Sequence, residues 1–495
     1  MGQTQPMARD PASIWALRRP ERQLLLAALA CLAIGFLLAL GSVAAAGRAP
    51  DPADLLPLAS YGLCLVLLHL ALVLGGFRGD QVLVVAAAFL GGLGLLIQTR
   101  MGLFEGAAPL DLVRLVFPAG ILVMAGTALV FMDGRYRVLA AYPWVWAGLS
   151  LALVAVLLAT GQRFRGAVFG LGLTTPTEVL KVSLVIFLAG LVDREGRALG
   201  AWHPSLPLPP WRPLWPLAAC WAVLTGLLLL QRDLGMVAIL GVALLAILSA
   251  GTGRIGYTVY GLLAAAGLGW LLLGVFEHGQ ERLRTWLDPF ADPTGDGWQI
   301  LQGLSGMFAG GLWGEGFGQG SPRYTPIAES DFVYTAIGEE LGFLGCAIVL
   351  CFYLLPIERG LAIAARGRTG FGRLLATGLC AVLAAQTLLN IGGVTKLIPL
   401  TGLTLPLVSQ GGASLLVTCA ALGLLLAVSD DQAGAPRRGP SHRPQPRAHP
   451  SAHPSAQPRP RAGPAEGRAA AGPADPPAQG TKPKRRRTRK PPPTD

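Results

Sequence analysis

QLLLAALACLAIGFLLALGSVAAAG, residues 23–47, decides the fold. The run holds no Asp, Glu, Lys or Arg. As a helix rising about 1.5 Å per residue it is long enough for the roughly 30 Å hydrocarbon core of a bilayer. A backbone in lipid must satisfy its own hydrogen bonds, so such a run is helical. No small-residue cleavage site with a polar mature segment follows it, so it reads as a retained anchor.

Working outward, eleven further apolar runs follow, at about 54–77, 81–98, 112–132, 140–160, 178–193, 213–230, 234–251, 256–276, 332–356, 374–395 and 410–428. Over the 495 residues only 14% are charged and 52% are hydrophobic. A soluble domain carries about 25% charge. The expected fold class is all-α: a polytopic membrane helix bundle of about twelve transmembrane helices. Arg9, Arg18, Arg19 and Arg22 precede the first run, and Arg135, Arg137, Arg194, Arg197, Arg212, Arg359, Arg366, Arg368 and Arg373 fall on the same side of the bundle. By the positive-inside rule that side is cytoplasmic, with both termini there. Arg163, Arg165, Arg282 and Arg284 fall on the other side and oppose the bias.

The expected organisation follows. Residues 1–22 form a cytoplasmic segment, and the helices follow, two within 23–80 and ten within 81–428, with a long extracytoplasmic loop at about 277–331. A loop of that length, rich in Gly and aromatics, is expected to be ordered and functional, with short or re-entrant helices. Residues 429–495 are expected to be a disordered, basic tail. The net charge of +12 is concentrated there, with fourteen Lys/Arg against three Asp/Glu from Arg437 onward. The charge is therefore not a nucleic-acid surface. KPKRRRTRK, 482–490, suits an anionic leaflet at about 1 kcal/mol per basic residue, or a docking partner. The seven cysteines lie inside apolar runs without metal-knuckle or redox spacing and read as apolar filler. Three of the six histidines (His442, His449, His453) lie in the tail, and no metal site follows from their spacing.

Ionisable groups at membrane depth are functional candidates. SDFVYTAIGEELGFLG, 330–345, holds the strongest cluster. If the helix begins at its start, Asp331 and Glu339 look along one wall, because residues eight apart share a face. Asp331 at the membrane boundary suits a general base on a sugar hydroxyl, or a ligand for a metal on a diphosphate. It equally suits a helix cap, with Ser330 or Asp331 accepting from the orphan N–H groups. Candidate partners are Lys181 three residues after Glu178, Arg232 and Asp233 in one turn, Lys396, and the loop cations Arg282, Arg284 and Arg323. A cationic set at an outer cavity would suit a diphosphate leaving group, whereas separate helix-end ion pairs are the plainer reading. GMFAGGLWGEGFGQG, 306–320, lacks the lysine and strand context of a phosphate loop and reads as close backbone packing. LPLVSQGGAS, 405–414, reads as a broken segment lining a cavity.

Taken together these blocks resemble the shape, elongation, division and sporulation (SEDS) family of RodA-, FtsW- and SpoVE-like proteins. The resemblance spans roughly 81–428. It rests on the order and spacing of QRDLG at 231–235, LDPFADPTGDGWQILQ at 287–302, SDFVYTAIGEELG, and NIGGVTKLIPLTGLTLPLVSQGGAS at 390–414. It implies a ten-span peptidoglycan glycosyltransferase that polymerises lipid II at the outer face of the cytoplasmic membrane, here a RodA-like variant with two extra N-terminal spans. It implies Asp331 as the catalytic residue and a class B penicillin-binding protein, a transpeptidase, as partner. It brings Glu178, Lys181, Arg232, Asp233, Gln299, Gln302, Glu329, Ser330, Glu339, Lys396 and Ser409 forward as substrate-binding candidates. A divalent cation such as Mg²⁺ is the one cofactor considered. Four positions depart from the family pattern: Arg232 replaces a proline, Glu329-Ser330 replaces His-Thr, and Gly166 stands where a tryptophan is usual, with Phe164 and Phe169 the nearest aromatics. Two other functions fit the same residues: a flippase for lipid-linked sugars, and a catalytically silent scaffold for a transpeptidase.

Overall fold

The computed structural model describes residues 11–105, 111–164, 167–169, 176–202, 208–275 and 277–433. Six helices come first: α1 (Pro11–Leu17), α2 (Arg19–Ala45), α3 (Leu56–Leu74), α4 (Gln81–Glu105), α5 (Leu112–Phe131) and α6 (Pro143–Thr160). A small antiparallel ladder, β1 (Gln162–Phe164) with β2 (Ala167–Phe169), follows. Then come α7 (Pro176–Leu199), α8 (Trp211–Leu230), α9 (Leu234–Thr252) and α10 (Gly256–Val275). The long connection holds α11 (Glu277–Leu287) and α12 (Trp298–Gly310), and the chain ends on α13 (Val333–Arg366), α14 (Gly370–Val394) and α15 (Gly412–Ala433).

Each of the twelve apolar runs overlaps one long helix. Among the described residues, ten helices are long and apolar enough to cross a membrane; α7 and α10 fall outside that set. In α7, Glu178 and Lys181 lie at one end and Asp193, Arg194, Glu195 and Arg197 at the other. Its middle is apolar and buried on all sides, as befits a central helix. It packs on α6, α9, α14 and α15, while α4 is the other deeply buried helix and packs on α2 and α13.

The first two long helices are built into this bundle. Leu32 of α2 lies so close to Gly92 of α4 that a Cβ there would collide with it. The Tyr61 hydroxyl of α3 donates to the Ala88 carbonyl at 2.6 Å. Buried Arg18 and Glu21 form an ion pair, and His69 Nδ1 lies 2.9 Å from Glu21. Burying these charges is tolerable only because they are paired.

Two expectations change. The tail was expected to begin at 429, yet residues 429–433 continue α15. Asp430 accepts from the Arg78 N–H at 2.7 Å, and Ser429 from that of Asp80 at 2.9 Å. The helix persists because its last turn satisfies the backbone of the α3–α4 turn. Residues 434–495, and the basic run within them, lie outside the described residues.

The second change is in α13, which breaks at Gly342 (φ 68°). The glycine-rich segment after α12 supplies what the broken helix lacks. Glu315 N–H donates to Glu339 O at 2.9 Å and Gly316 N–H to Glu340 O at 3.1 Å. In return, Phe343 N–H donates to Gly311 O at 2.9 Å and Leu344 N–H to Leu312 O at 3.2 Å. A Cβ on Gly314 (φ 87°) would run into the Glu340 carbonyl. Gly314→Val is therefore expected to lower the thermal unfolding temperature in detergent sharply. A β-branched residue at positive φ is itself strained by about 1–3 kcal/mol, before the collision is counted. An unchanged melting curve would mean this backbone contact is dispensable.

Candidate active site

Asp331 lies in a tight turn before α13. The N–H groups of Ser330, Asp331 and Phe332 all point at Ile327 O, at 3.1, 3.2 and 3.4 Å. Ile327 has φ 49°, a costly conformation for a β-branched residue that such turns must hold by outside contacts. Those contacts are present. Asn390 Nδ2 donates to Asp331 O at 2.9 Å and to Leu403 O at 2.5 Å. The Ser409 hydroxyl donates to Ser330 O and accepts from Leu405 N–H at 2.8 Å. Glu329 O accepts from Gln98 Nε2 and from Gln410 N–H, both at 2.8 Å. Three elements thus grip the turn through its backbone and leave the Asp331 carboxylate for other work.

That carboxylate faces Gly402 and Arg282. A side chain at Gly402 (φ 70°) would meet Asp331 Oδ2 at 3.6 Å and Arg282 Nη2 at 3.8 Å. Arg282 is steered there by α11, with Nη1 donating to Leu400 O at 3.0 Å and neighbouring Trp286 Nε1 donating to Lys396 O at 3.0 Å. Burial pushes the Asp331 carboxyl above its ordinary pKa; the Ser330 hydroxyl and Arg282 oppose the rise, and Glu329 adds to it. Burial likewise raises Asp233, against its bond from Met236 N–H, with Glu178 raising it further and Arg282 and Lys181 lowering it. Arg282 therefore sits in the field of both acids, which hold its charge against the cost of burial. Lys181 pairs with Glu178 at 2.5 Å and donates to Gln386 Oε1 at 2.7 Å, and Gln386 Nε2 donates to Thr404 O at 3.0 Å. The structure brings together Asp331, Arg282, Asp233, Glu178 and Lys181, braced by Asn390 and Gln386.

Several expected roles are corrected. Asp331 and Glu339 do not share a helix wall, because α13 begins at Val333, after Asp331. Neither Ser330 nor Asp331 caps that helix: its N-cap is Phe332, with no side-chain cap bond. The N–H groups at 330–332 are already used by Ile327 O. Glu339 is buried and accepts from Ser321 N–H at 2.5 Å, which ties it to the loop before α13. Asp233 caps α9, accepting from Met236 N–H at 2.9 Å, while contributing charge to the cluster. Arg232 is exposed at φ 65°, a conformation closed to proline. Lys396, at φ 61°, contributes a backbone carbonyl. Gln299 and Gln302 lie on α12, and among the described residues neither is hydrogen-bonded to Asp331. Gly166 lies outside the described residues, and only the backbone of Phe164 and Phe169 is described.

Asn390 and Gln386 were missed as site residues, and Arg282 was weighed only as one loop cation among three. The signal for the first two was present: they lie four apart on one face of an otherwise apolar run, where a buried amide needs a partner.

Known proteins are similar to this chain in sequence and fold. The FTSW_RODA_SPOVE family model, described as "Cell cycle protein", matches residues 81–433, beginning at the first residue of α4. The "Peptidoglycan glycosyltransferase RodA" of Mycobacterium tuberculosis is 36% identical over 406 residues, covering 78% of this chain and 86% of the relative. A "Probable peptidoglycan glycosyltransferase FtsW" of Trichlorobacter lovleyi is 32% identical over 306 residues, covering 60% of this chain and 78% of the relative. Among solved structures, a chain described under "Structural coordination of polymerization and crosslinking by a peptidoglycan synthase complex" aligns with TM-score 0.59 and 28% identity, over 72% of this chain and 98% of that one. A family match over most of the chain, and a relative this similar over most of its own length, carry one conclusion: this multi-pass membrane protein belongs to the FtsW, RodA and SpoVE family.

Proposed function

We propose that the protein is a peptidoglycan glycosyltransferase that polymerises lipid II. The observation that carries this reading is the Asp331 turn: a carboxylate raised toward neutrality, held rigidly, beside a guanidinium and a Lys–Glu pair. In this reaction the Asp331 carboxylate takes the proton of the attacking sugar 4-hydroxyl. The hydroxyl oxygen forms a bond to the anomeric carbon of the second chain, and the bond from that carbon to the diphosphate oxygen breaks. The electron pair leaves with the undecaprenyl diphosphate, whose charge Arg282 and Lys181 would stabilise. A general base works best with a pKa near the operating pH, and burial moves Asp331 in that direction.

Among the described residues no three His, Cys, Asp or Glu side chains converge on one point. The donor set suits a cation only in the way Mg²⁺ sits on phosphates, with one carboxylate, here Asp331, and substrate oxygens; bound there it would neutralise the diphosphate. The basic end of the bundle, with Arg18, Arg137, Arg194 and Arg368, is assigned to the cytoplasm and Asp331 to the outer face. A class B penicillin-binding protein is the expected partner, which supplies crosslinking to match the polymerisation.

The test is polymerisation of labelled lipid II by purified protein with its transpeptidase, glycan length being read on a gel. Polymer from wild type and none from folded Asp331→Ala is the expected result. Equal polymer from both overturns it, and flipping without polymerisation in vesicles would point to a flippase. No polymer from either, with the transpeptidase still bound, would leave the scaffold reading. Arg282→Gln provides a second check. Arg282 lowers the Asp331 pKa, so its loss should move the acidic limb of the pH–rate profile to higher pH. An unmoved limb would separate Arg282 from the base.

A further inference from the structure

A large cavity among the described residues lies on the other side of the Asp331 turn. It has a volume of about 650 Å³, within the range of ligand sites, and is lined by α2, α4, the start of α5 and the 318–329 loop. Glu329 lines it, while Asp331, two residues on, faces Arg282 and Gly402. Two residues span at most about 7 Å, so a group in the cavity lies close to the reaction centre.

Its walls are preformed. Gln98 of α4 holds Glu329 O at 2.8 Å, and Arg100 Nη2 holds Gly320 O at 2.7 Å. These bonds pin both ends of the loop that frames the space. Its charges are compensated. Buried Arg100 pairs with Glu340, and buried Arg114 lies 3.4 Å from Asp111. At the rim, Arg323 and Glu329 add one charge of each sign. A diphosphate site needs surplus cations, whereas the guanidiniums of Arg100, Arg114 and Arg323 are matched in number by Asp111 and Glu329 in the lining and Glu340 behind it, alongside amide and backbone groups. Such a lining matches neutral polyhydroxylated or acetamido groups, which both donate and accept. The remaining wall is made of small residues, Ser42 and Ala45 of α2, a helix that precedes the family match at 81–433, and Ala46 just after it.

We propose that this cavity is a saccharide subsite, holding sugar residues of the glycan on the far side of the Glu329–Asp331 turn, with α2 as its outer wall. It deepens the glycosyltransferase reading and rests on it. It also gives the first of the two additional helices a task.

The experiment uses full-length protein in nanodiscs and a lipid-free tetrasaccharide of alternating N-acetylglucosamine and N-acetylmuramic acid with the lactyl carboxyls amidated and so neutral, with binding followed by calorimetry. Wild type should bind it. Ala45→Trp, which fills the cavity from α2, should weaken binding by about tenfold or more and shorten the glycan product. Arg323→Gln, on the exposed rim, should weaken it in the same direction and guards against misfolding of the tryptophan variant. Tetrasaccharide binding that is absent in wild type, or unchanged from wild type in both cavity variants, overturns the proposal. So does displacement of the sugar by inorganic diphosphate, which would mark a phosphate site. Binding without polymerisation by wild type would instead remove the glycosyltransferase reading and leave the subsite standing.

Discussion

Asp331→Asn is expected to cut lipid II polymerisation by about 10²–10⁴-fold while making the protein more resistant to heat at neutral pH. The rate loss is what general-base removal typically costs, roughly 3 to 5 kcal/mol in the barrier. Asparagine keeps the shape of the side chain, and the turn is held by backbone bonds from Asn390, Ser409, Gln98 and Gln410 that it leaves intact. The stability gain follows from linkage. Burial raises the folded Asp331 pKa above its ordinary 3.8. Between those two values the unfolded chain has lost the proton and the folded chain still holds it. Wild-type stability contributed by this group is therefore full below the ordinary value and falls as pH rises through the raised one. Asparagine has no proton to lose. The two melting temperatures should coincide in acid and separate as pH rises, with the variant higher. A variant that melts lower than wild type at neutral pH would show that the carboxylate is structural. Loss of activity with gain of stability is the pattern of a site strained for function.

Much of this fold was legible because lipid leaves the chain little choice. An uncharged run such as 23–47 must be a helix, and all twelve apolar runs lie on helices. What the runs did not disclose is where a helix stops for reasons outside itself. SDFVYTAIGEELGFLG has no proline and reads as one continuous helix from its first acid. It starts later, because Ile327 O already takes the N–H groups at 330–332. It breaks at Gly342, because a distant glycine-rich segment offers replacement hydrogen bonds. Both events depend on partners far away in the chain, and spacing is blind to them. The same reason separates Asp331 from Glu339. Asp331 was legible as the residue to watch. Its neighbours in space were half legible: Lys181, Glu178 and Asp233 from motifs, Asn390 and Gln386 only from their incongruity in an apolar helix.

Arg100 and Glu340 carry the second large effect. Arg100 on α4 and Glu340 on α13 are both nearly fully buried and form an ion pair. Each also holds the 318–320 strip: Arg100 through Gly320 O, and Glu340 Oε2 through Gly318 N–H at 3.3 Å. Arg100→Met leaves a buried carboxylate without its cation, and Glu340→Leu does the reverse. Breaking one side of a buried pair typically costs about 3–5 kcal/mol, whereas replacing both sides by well-packed apolar groups is often close to neutral. Each single variant should therefore lower the unfolding temperature markedly, and Arg100→Met/Glu340→Leu should recover most of the loss. The double variant still lacks the bonds to Gly318 and Gly320, so the loop should loosen even where the bundle recovers. A thermal-unfolding cycle on the four proteins, with polymerisation measured in parallel, separates the two effects. Stability should return and glycan length should not, because the loop runs on to Glu329 and so frames the turn that presents Asp331. Strict additivity of the two losses would mean that the pair contributes no coupling between α4 and α13. Full recovery of glycan length would mean that the loop holds its place without it.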